Sequence, residues 1–139
     1  MSSFNLKVIA SDKVFFDGKC QSLTAPLYDG KIGILANHSN AIMAVETGEP
    51  KIIDENGDEI EAFVSTGFME ILNGDVTICV ISAELPEDID EYRAEQAKER
   101  AEEELRQELS IREYYKTTAS LARAMERIKV KKKYEHMDQ

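Results

Sequence analysis

Gly30 and Gly33 stand three residues apart in the stretch DGKIGILANHSN, Asp29 to Asn40, followed by an apolar pair and His38. Glycines so placed raise phosphate binding first. The phosphate loop needs G-x-x-x-x-G-K-[ST] and a dinucleotide fold needs G-x-G-x-x-G opening a helix; this stretch has neither spacing, and IGIL reads as a strand. Metal binding is the second chemistry to test. The histidines, His38 and His136, and the cysteines, Cys20 and Cys79, are too scattered for a zinc pattern, and both cysteines sit in apolar, strand-like sequence that suits buried reduced thiols. Nucleophilic catalysis is the third, and no Ser, Cys or carboxylate beside His38 has a triad-like spacing. The residues therefore point to no catalytic group and no metal ligand. Gly30 and Gly33 are left to shape backbone, Ile34 and Leu35 to pack or dock, and His38 to be a satisfied loop residue.

The elements that carry these residues divide at Pro86. Residues 1–85 read as short strands: FNLKVIA alternates with Phe4, Leu6 and Val8 on one face, and QSLTAPL, AIMAV, PKII, IEAFVST and DVTICVIS follow, each bounded by turn chemistry. Asn56-Gly57 and Asn73-Gly74 are dipeptides that supply positive φ in tight hairpins. So many strands at short intervals predict an antiparallel β-sandwich or flattened barrel over 1–85.

Residues 86–139 change period. In PEDIDEYRAEQAKERAEEELRQEL, Ile89, Arg93, Ala97, Ala101 and Leu105 recur at i+4, a narrow Ala-lined stripe on a charged helix whose first turn would hold Pro86, Glu87, Asp88 and Asp90. SIREYYKTTASLARAMERIKVKKKY carries a second stripe through Ile111, Tyr114, Thr118, Leu121, Met125 and Ile128. Ser110 and Glu113 form a capping box at its start, and Lys131 to Lys133 mark its end. The connection lacks Gly and Pro, so a single continuous helix is the alternative to a two-helix hairpin. The Ala seam offers little apolar area, and a hairpin held so lightly would open for a better partner.

Charge and composition restrict the function. The chain of 139 residues has 27 acidic and 17 basic residues, net charge -10, which argues against nucleic acid as a partner. No apolar run reaches the roughly eighteen residues needed to span a bilayer, and MSSFNLKVIASD lacks the flanks of a signal or transit peptide, so a cytoplasmic location is expected.

Four stretches in order, DGKIGILANHSNAIMAV, STGFMEILNGDVTICV, DIDEYRA and SLARAMERIKV, resemble the epsilon subunit family of F-type ATP synthases over nearly the whole chain. In that family the first reads G-x-x-G-I-L-x-x-H-x-P, the second contains G-G-F-x-E-V, and the third is [IL]-D-x-x-R-A. The resemblance implies a β-sandwich followed by a two-helix hairpin. It also implies a non-catalytic rotor subunit with no required cofactor, peripheral to the cytoplasmic face of the bacterial membrane. Its partners would be the gamma subunit, the c ring and the α/β catalytic subunits, and its C-terminal helices would brake ATP hydrolysis. Gly30, Lys31, Gly33, Ile34, Leu35 and His38 match the family's docking region near the c ring. The chain departs from the family pattern at Lys31, commonly acidic, at Asn40, usually proline, and at Thr66, usually the first glycine of G-G-F.

Some bacterial members of that family bind ATP as a regulatory ligand. Carried over residue by residue, the resemblance implies such a site at Ile89, Asp90, Arg93 and Ala94, with Arg123 and Arg127 from the second helix and Glu84 and Arg100 at further matching positions. Guanidiniums from two helices suit a triphosphate, and Asp90 with the small Ala94 suits adenine. An Asp90 to Arg93 pair on a solvated helix is the purely structural alternative. A free-standing nucleotide-sensing adaptor with a β domain and a helical arm is the alternative function.

Overall fold

Alternating residue character makes β1 (Phe4–Ile9) a half-buried strand: Phe4, Leu6 and Val8 are buried, while Asn5 and Lys7 face solvent. The computed structural model describes residues 2–106 and 111–137, with the backbone alone at 111, 112, 136 and 137. The chain forms two compact units, Met1–Leu85 and Pro86–Gln139.

The first unit continues with β2 (Val14–Leu27), β3 (Gly30–Leu35), β4 (Ala41–Val45), β5 (Lys51–Asp54), β6 (Glu59–Glu61), β7 (Phe63–Val64), β8 (Gly67–Leu72), β9 (Asp75–Val80) and β10 (Ala83–Glu84). Strands pair in the order β4-β8-β9-β1-β2-β5-β6, with β3 added to β2, and β7 pairs β10 separately. The result is a β-sandwich. Its long strand β2 explains how one sheet serves both layers. Val14 to Cys20 pair with β1, and Ser22 to Leu27 then pair with β3, while β5 runs along the opposite edge with its register broken between Cys20 and Ser22. Such a break bends a strand. The strand expected at QSLTAPL is the second half of the longer β2, and the strand expected at IEAFVST divides into β6 and β7.

The pairing is antiparallel with one exception. β1 lies parallel to β9, Leu6 opposite Val76 and Val8 opposite Ile78, whereas an all-antiparallel sandwich was expected. These strands are separated by most of the unit, so no hairpin forces them antiparallel. Between the layers Leu6, Leu23, Ile34, Ile52, Met69 and Ile71 are all at most 1% exposed. Each fully buried side chain of this size contributes roughly 1.5–3 kcal/mol.

The two Asn-Gly turns differ. Asn73 (φ 52°) and Gly74 (φ 86°) are both left-handed, as a type I′ hairpin demands. At the other, Gly57 alone has positive φ, and Asp54 Oδ1 accepts the N–H groups of Asn56 and Asp58, both at 2.9 Å. That is a longer loop pinned by an Asp side chain.

In the second unit a short 3₁₀ turn (Pro86–Asp88) precedes α1 (Glu91–Leu105), and α2 (Ile111–Met137) packs antiparallel against α1. The first helix starts later than expected. Asp90 is its N-cap, with Oδ1 accepting the Arg93 backbone N–H at 3.1 Å, so Pro86 and the acids Glu87 and Asp88 stand outside the helix. Ser110 of the expected capping box lies outside the described residues. The second helix runs beyond Lys131 to Lys133 to Met137.

Candidate functional site

The DGKIGILANHSN stretch is a strand between two turns. Gly30, at φ 137°, closes the β2–β3 turn where an L side chain would be strained, whereas a Cβ on Gly33 would meet no atom within 4 Å. Gly33 therefore does not shape the backbone as expected. Alternation along β3 exposes Lys31, Gly33 and Leu35 and buries Ile34 completely. Ile34 thus packs in the core, and Leu35, 64% exposed, is the member of the pair available to a partner. His38 lies past the other end of the strand from Gly30, its Nδ1 2.8 Å from the Ser39 carbonyl, which accepts a proton carried on that nitrogen. The six candidate docking residues thus span both ends of β3 instead of one loop.

Sequence reasoning missed a second exposed surface. Ala44, Phe68, Cys79, Ile9 and Val14 are successive cross-strand partners on β4, β8, β9, β1 and β2. They form an apolar row on the outer face. Phe68 and Val14 are each about half exposed; Ile42 continues the patch on β4, and Leu72 lies beyond the exposed Glu70 on β8. The signal was the absence of alternation in AIMAV and FMEIL, strands that are apolar on both faces. Cys20 points the other way. It is fully buried, and loss of hydration raises its thiol pKa to about 11.

On the hairpin, the side chains that meet are smaller than the expected stripes. Ala94 and Ala101 are buried on α1 while Arg93 is exposed; on α2 Thr117, Ala124 and Ile128 are buried while Tyr114, Thr118 and Met125 are exposed. Ile89, Ala101 and Ile128 of the expected stripes are buried, but Ala94, Thr117, Ala124 and Val130 join them in place of Arg93, Tyr114, Thr118 and Met125. The Ile111 side chain lies outside the described residues. Thr117 Oγ1 donates to Glu104 Oε2 at 3.1 Å across the pair.

That bond aligns the helices. Both rise about 1.5 Å per residue, so ten residues back along α1 and ten forward along α2 from this bond bring Ala94 and Arg127 to about the same height on their helices. Arg93, Ala94 and Arg127 thus share one level. Arg123 is a turn further along and donates to Ser120 Oγ at 3.1 Å, and Arg100 is exposed nearly two turns from Arg93. Ile89 is buried, and Ala94, only 4% exposed, is used for helix contact. Asp90 spends one carboxylate oxygen on its cap. Glu84 belongs to the first unit, in β10 opposite Phe63. Among the described residues no cluster of His, Cys, Asp or Glu could hold a metal ion.

A β-sandwich followed by an antiparallel helical pair defines the class of fold. Residues 3–86 match the model of the ATP synthase delta/epsilon chain β-sandwich domain, and residues 87–132 match that family's long α-helix domain. The chain belongs to the ATP synthase delta/epsilon chain family. It is 42% identical to the ATP synthase epsilon chain of Ruminiclostridium cellulolyticum over 92% of this chain and 95% of that one. It is 40% identical to the epsilon chain of Caldanaerobacter subterraneus subsp. tengcongensis, over 97% and 98%. Among solved structures, a chain of the Euglena gracilis mitochondrial ATP synthase has the same fold, with TM-score 0.68 at 19% identity, covering 100% of this chain and 83% of that one.

Proposed function

We propose that this chain is a non-catalytic coupling subunit in the central stalk of an F-type ATP synthase, and that its hairpin brakes ATP hydrolysis until ATP clamps it shut. Family membership supports the stalk assignment, with gamma, the c ring and the α/β catalytic subunits as partners. The β domain docks gamma through the apolar row around Phe68 and meets the c ring along the exposed side of β3, from Lys31 to Leu35. No described helix is long and apolar enough to cross a membrane, and attachment at the cytoplasmic face comes through the complex.

What supports the switch is the Glu104–Thr117 bond between the helices, from which Arg93 on α1 and Arg127 on α2 count to about the same height. This donor set fits a polyanion: guanidiniums on two helices that come to one height only when the hairpin is closed would bind phosphate more tightly in that state, which is the differential affinity a switch requires. Arg93 and Arg127 would hold phosphate, with Asp90 and Ile89 beside them. Bound ATP supplies charge that bridges the helices. Arg123, a turn along α2 and bonded to Ser120, and Arg100, nearly two turns along α1, add positive charge to the same helices, and no cofactor is required for coupling.

Calorimetry on the full chain tests this. ATP should bind the parent, and Arg93→Ala or Arg127→Ala should weaken it about tenfold or more. In the assembled enzyme, truncation after Leu85 should preserve coupling and abolish the brake. A parent that binds no ATP removes the sensor, and a truncated enzyme as inhibited as the parent removes the brake.

A further inference from the structure

The helices of the hairpin meet largely through small residues that choose an alignment weakly, although Ile89 and Val130 are buried as well. Ala94 and Ala101 on α1 stand one heptad apart, as do Thr117 and Ala124, and Leu121 and Ile128, on α2. A slip of one heptad sets these small residues against small residues again, so they separate the two registers weakly, and the alignment is left to Ile89, Val130 and any polar contact between the helices. Glu104 and Thr117 break the repeat. Thr117 is 6% exposed, its Oγ1 donates to Glu104 Oε2 at 3.1 Å, and the same slip would leave that hydroxyl buried against a residue other than Glu104. A buried polar group without its partner is costly, and one such group is enough to specify register in paired helices.

We propose that Glu104 and Thr117 are a positioning pair that locks the hairpin register, and thereby brings Ala94 and Arg93 level with Arg127. This rests on the reading of the hairpin as the nucleotide site and adds the residues that assemble it without touching the ligand. The pair lies about ten residues from that level on each helix, or some 15 Å. Its effect on ATP is therefore exerted through alignment.

The test uses the full chain and nuclear Overhauser contacts between Ala94 and Arg127, with amide exchange along α1. Thr117→Val keeps the shape and removes the donor; Thr117→Ser restores it. The valine variant should lose or shift the Ala94–Arg127 contacts and exchange α1 amides about tenfold faster, with helical circular dichroism unchanged, and the serine variant should return both to the parent pattern. Parent-like contacts in Thr117→Val would overturn the lock, as would a fall in helicity that matches the loss of contacts. ATP calorimetry on the same proteins separates the two readings. A parent that binds no ATP ends the nucleotide site, while the contacts alone decide the lock.

Discussion

Asn40 Oδ1 accepts the backbone N–H of Asn73 at 2.8 Å, tying the segment before β4 to the turn between β8 and β9. The residue that departs from the family's proline therefore has a job of its own. It satisfies a donor at the tip of a type I′ turn, where both central residues are already left-handed.

Asn40→Ala should lower the stability of the β unit by about 0.5–1.5 kcal/mol, the ordinary worth of one hydrogen bond, with the smaller figure expected at an exposed site. Urea denaturation reads this directly. An unchanged midpoint would show that water replaces the side chain without loss.

The two positions of the G-G-F motif should behave oppositely. A Cβ on Gly67 would collide with the backbone of Cys79 and Val80 on the paired strand, atoms that cannot swing aside. Thr66 is exposed, and its carbonyl, which accepts the Ile81 N–H at 3.2 Å, is present whatever the side chain. Gly67→Ala should cost about 2–4 kcal/mol, whereas Thr66→Gly should cost less than about 1 kcal/mol. Equal melting temperatures for the two variants would contradict this account.

What the sequence disclosed was local. Phe4, Leu6 and Val8 declare β1 by alternation, and Asn73-Gly74 declares its own turn, because both depend on neighbouring residues. The parallel match of β1 with β9 depends on residues far apart in the chain and leaves no local mark. Phe15 and Phe16 lie in a half of β2 that does not alternate cleanly, so that half escaped notice. On α2, Tyr114 and Met125 outweigh Thr117 and Ala124 in hydrophobicity, yet only the smaller pair lets α1 approach closely. The docking stretch misled for a related reason: Ile34 and Leu35 are alike in hydropathy, and only the pleat decides that one enters the core and the other leaves it.

The two cysteines should separate chemically. Iodoacetamide at neutral pH should modify the half-buried Cys79 and spare Cys20, which is buried and whose thiolate is disfavoured by lost hydration. The raised pKa also fixes a sign. Well below pH 9.0 the thiol is protonated in both states; as pH rises through 9.0 the unfolded chain ionises first, so stability falls as pH rises towards about 11. The full loss is about 2–3 kcal/mol. Cys20→Val should flatten that decline, and a variant with the parent's alkaline slope would assign the loss to other groups.

Docking can be separated from folding because the exposed and buried members of β3 and β8 alternate. Phe68 and Leu35 are exposed, while Ile34 and Met69 are wholly buried. Phe68→Asp places a charge in the apolar row, where the proposed gamma contact would have to desolvate it, and Leu35→Asp does so on β3. Each should weaken assembly with gamma and the c ring about tenfold or more, with the melting temperature of the free chain little changed. Ile34→Asp should instead unfold the β unit, since it buries a charge without a partner. If Phe68→Asp and Leu35→Asp assemble as tightly as the parent, the docking surface lies elsewhere on the sandwich; if Phe68→Asp alone fails, the apolar row is the contact and the outer side of β3 is free.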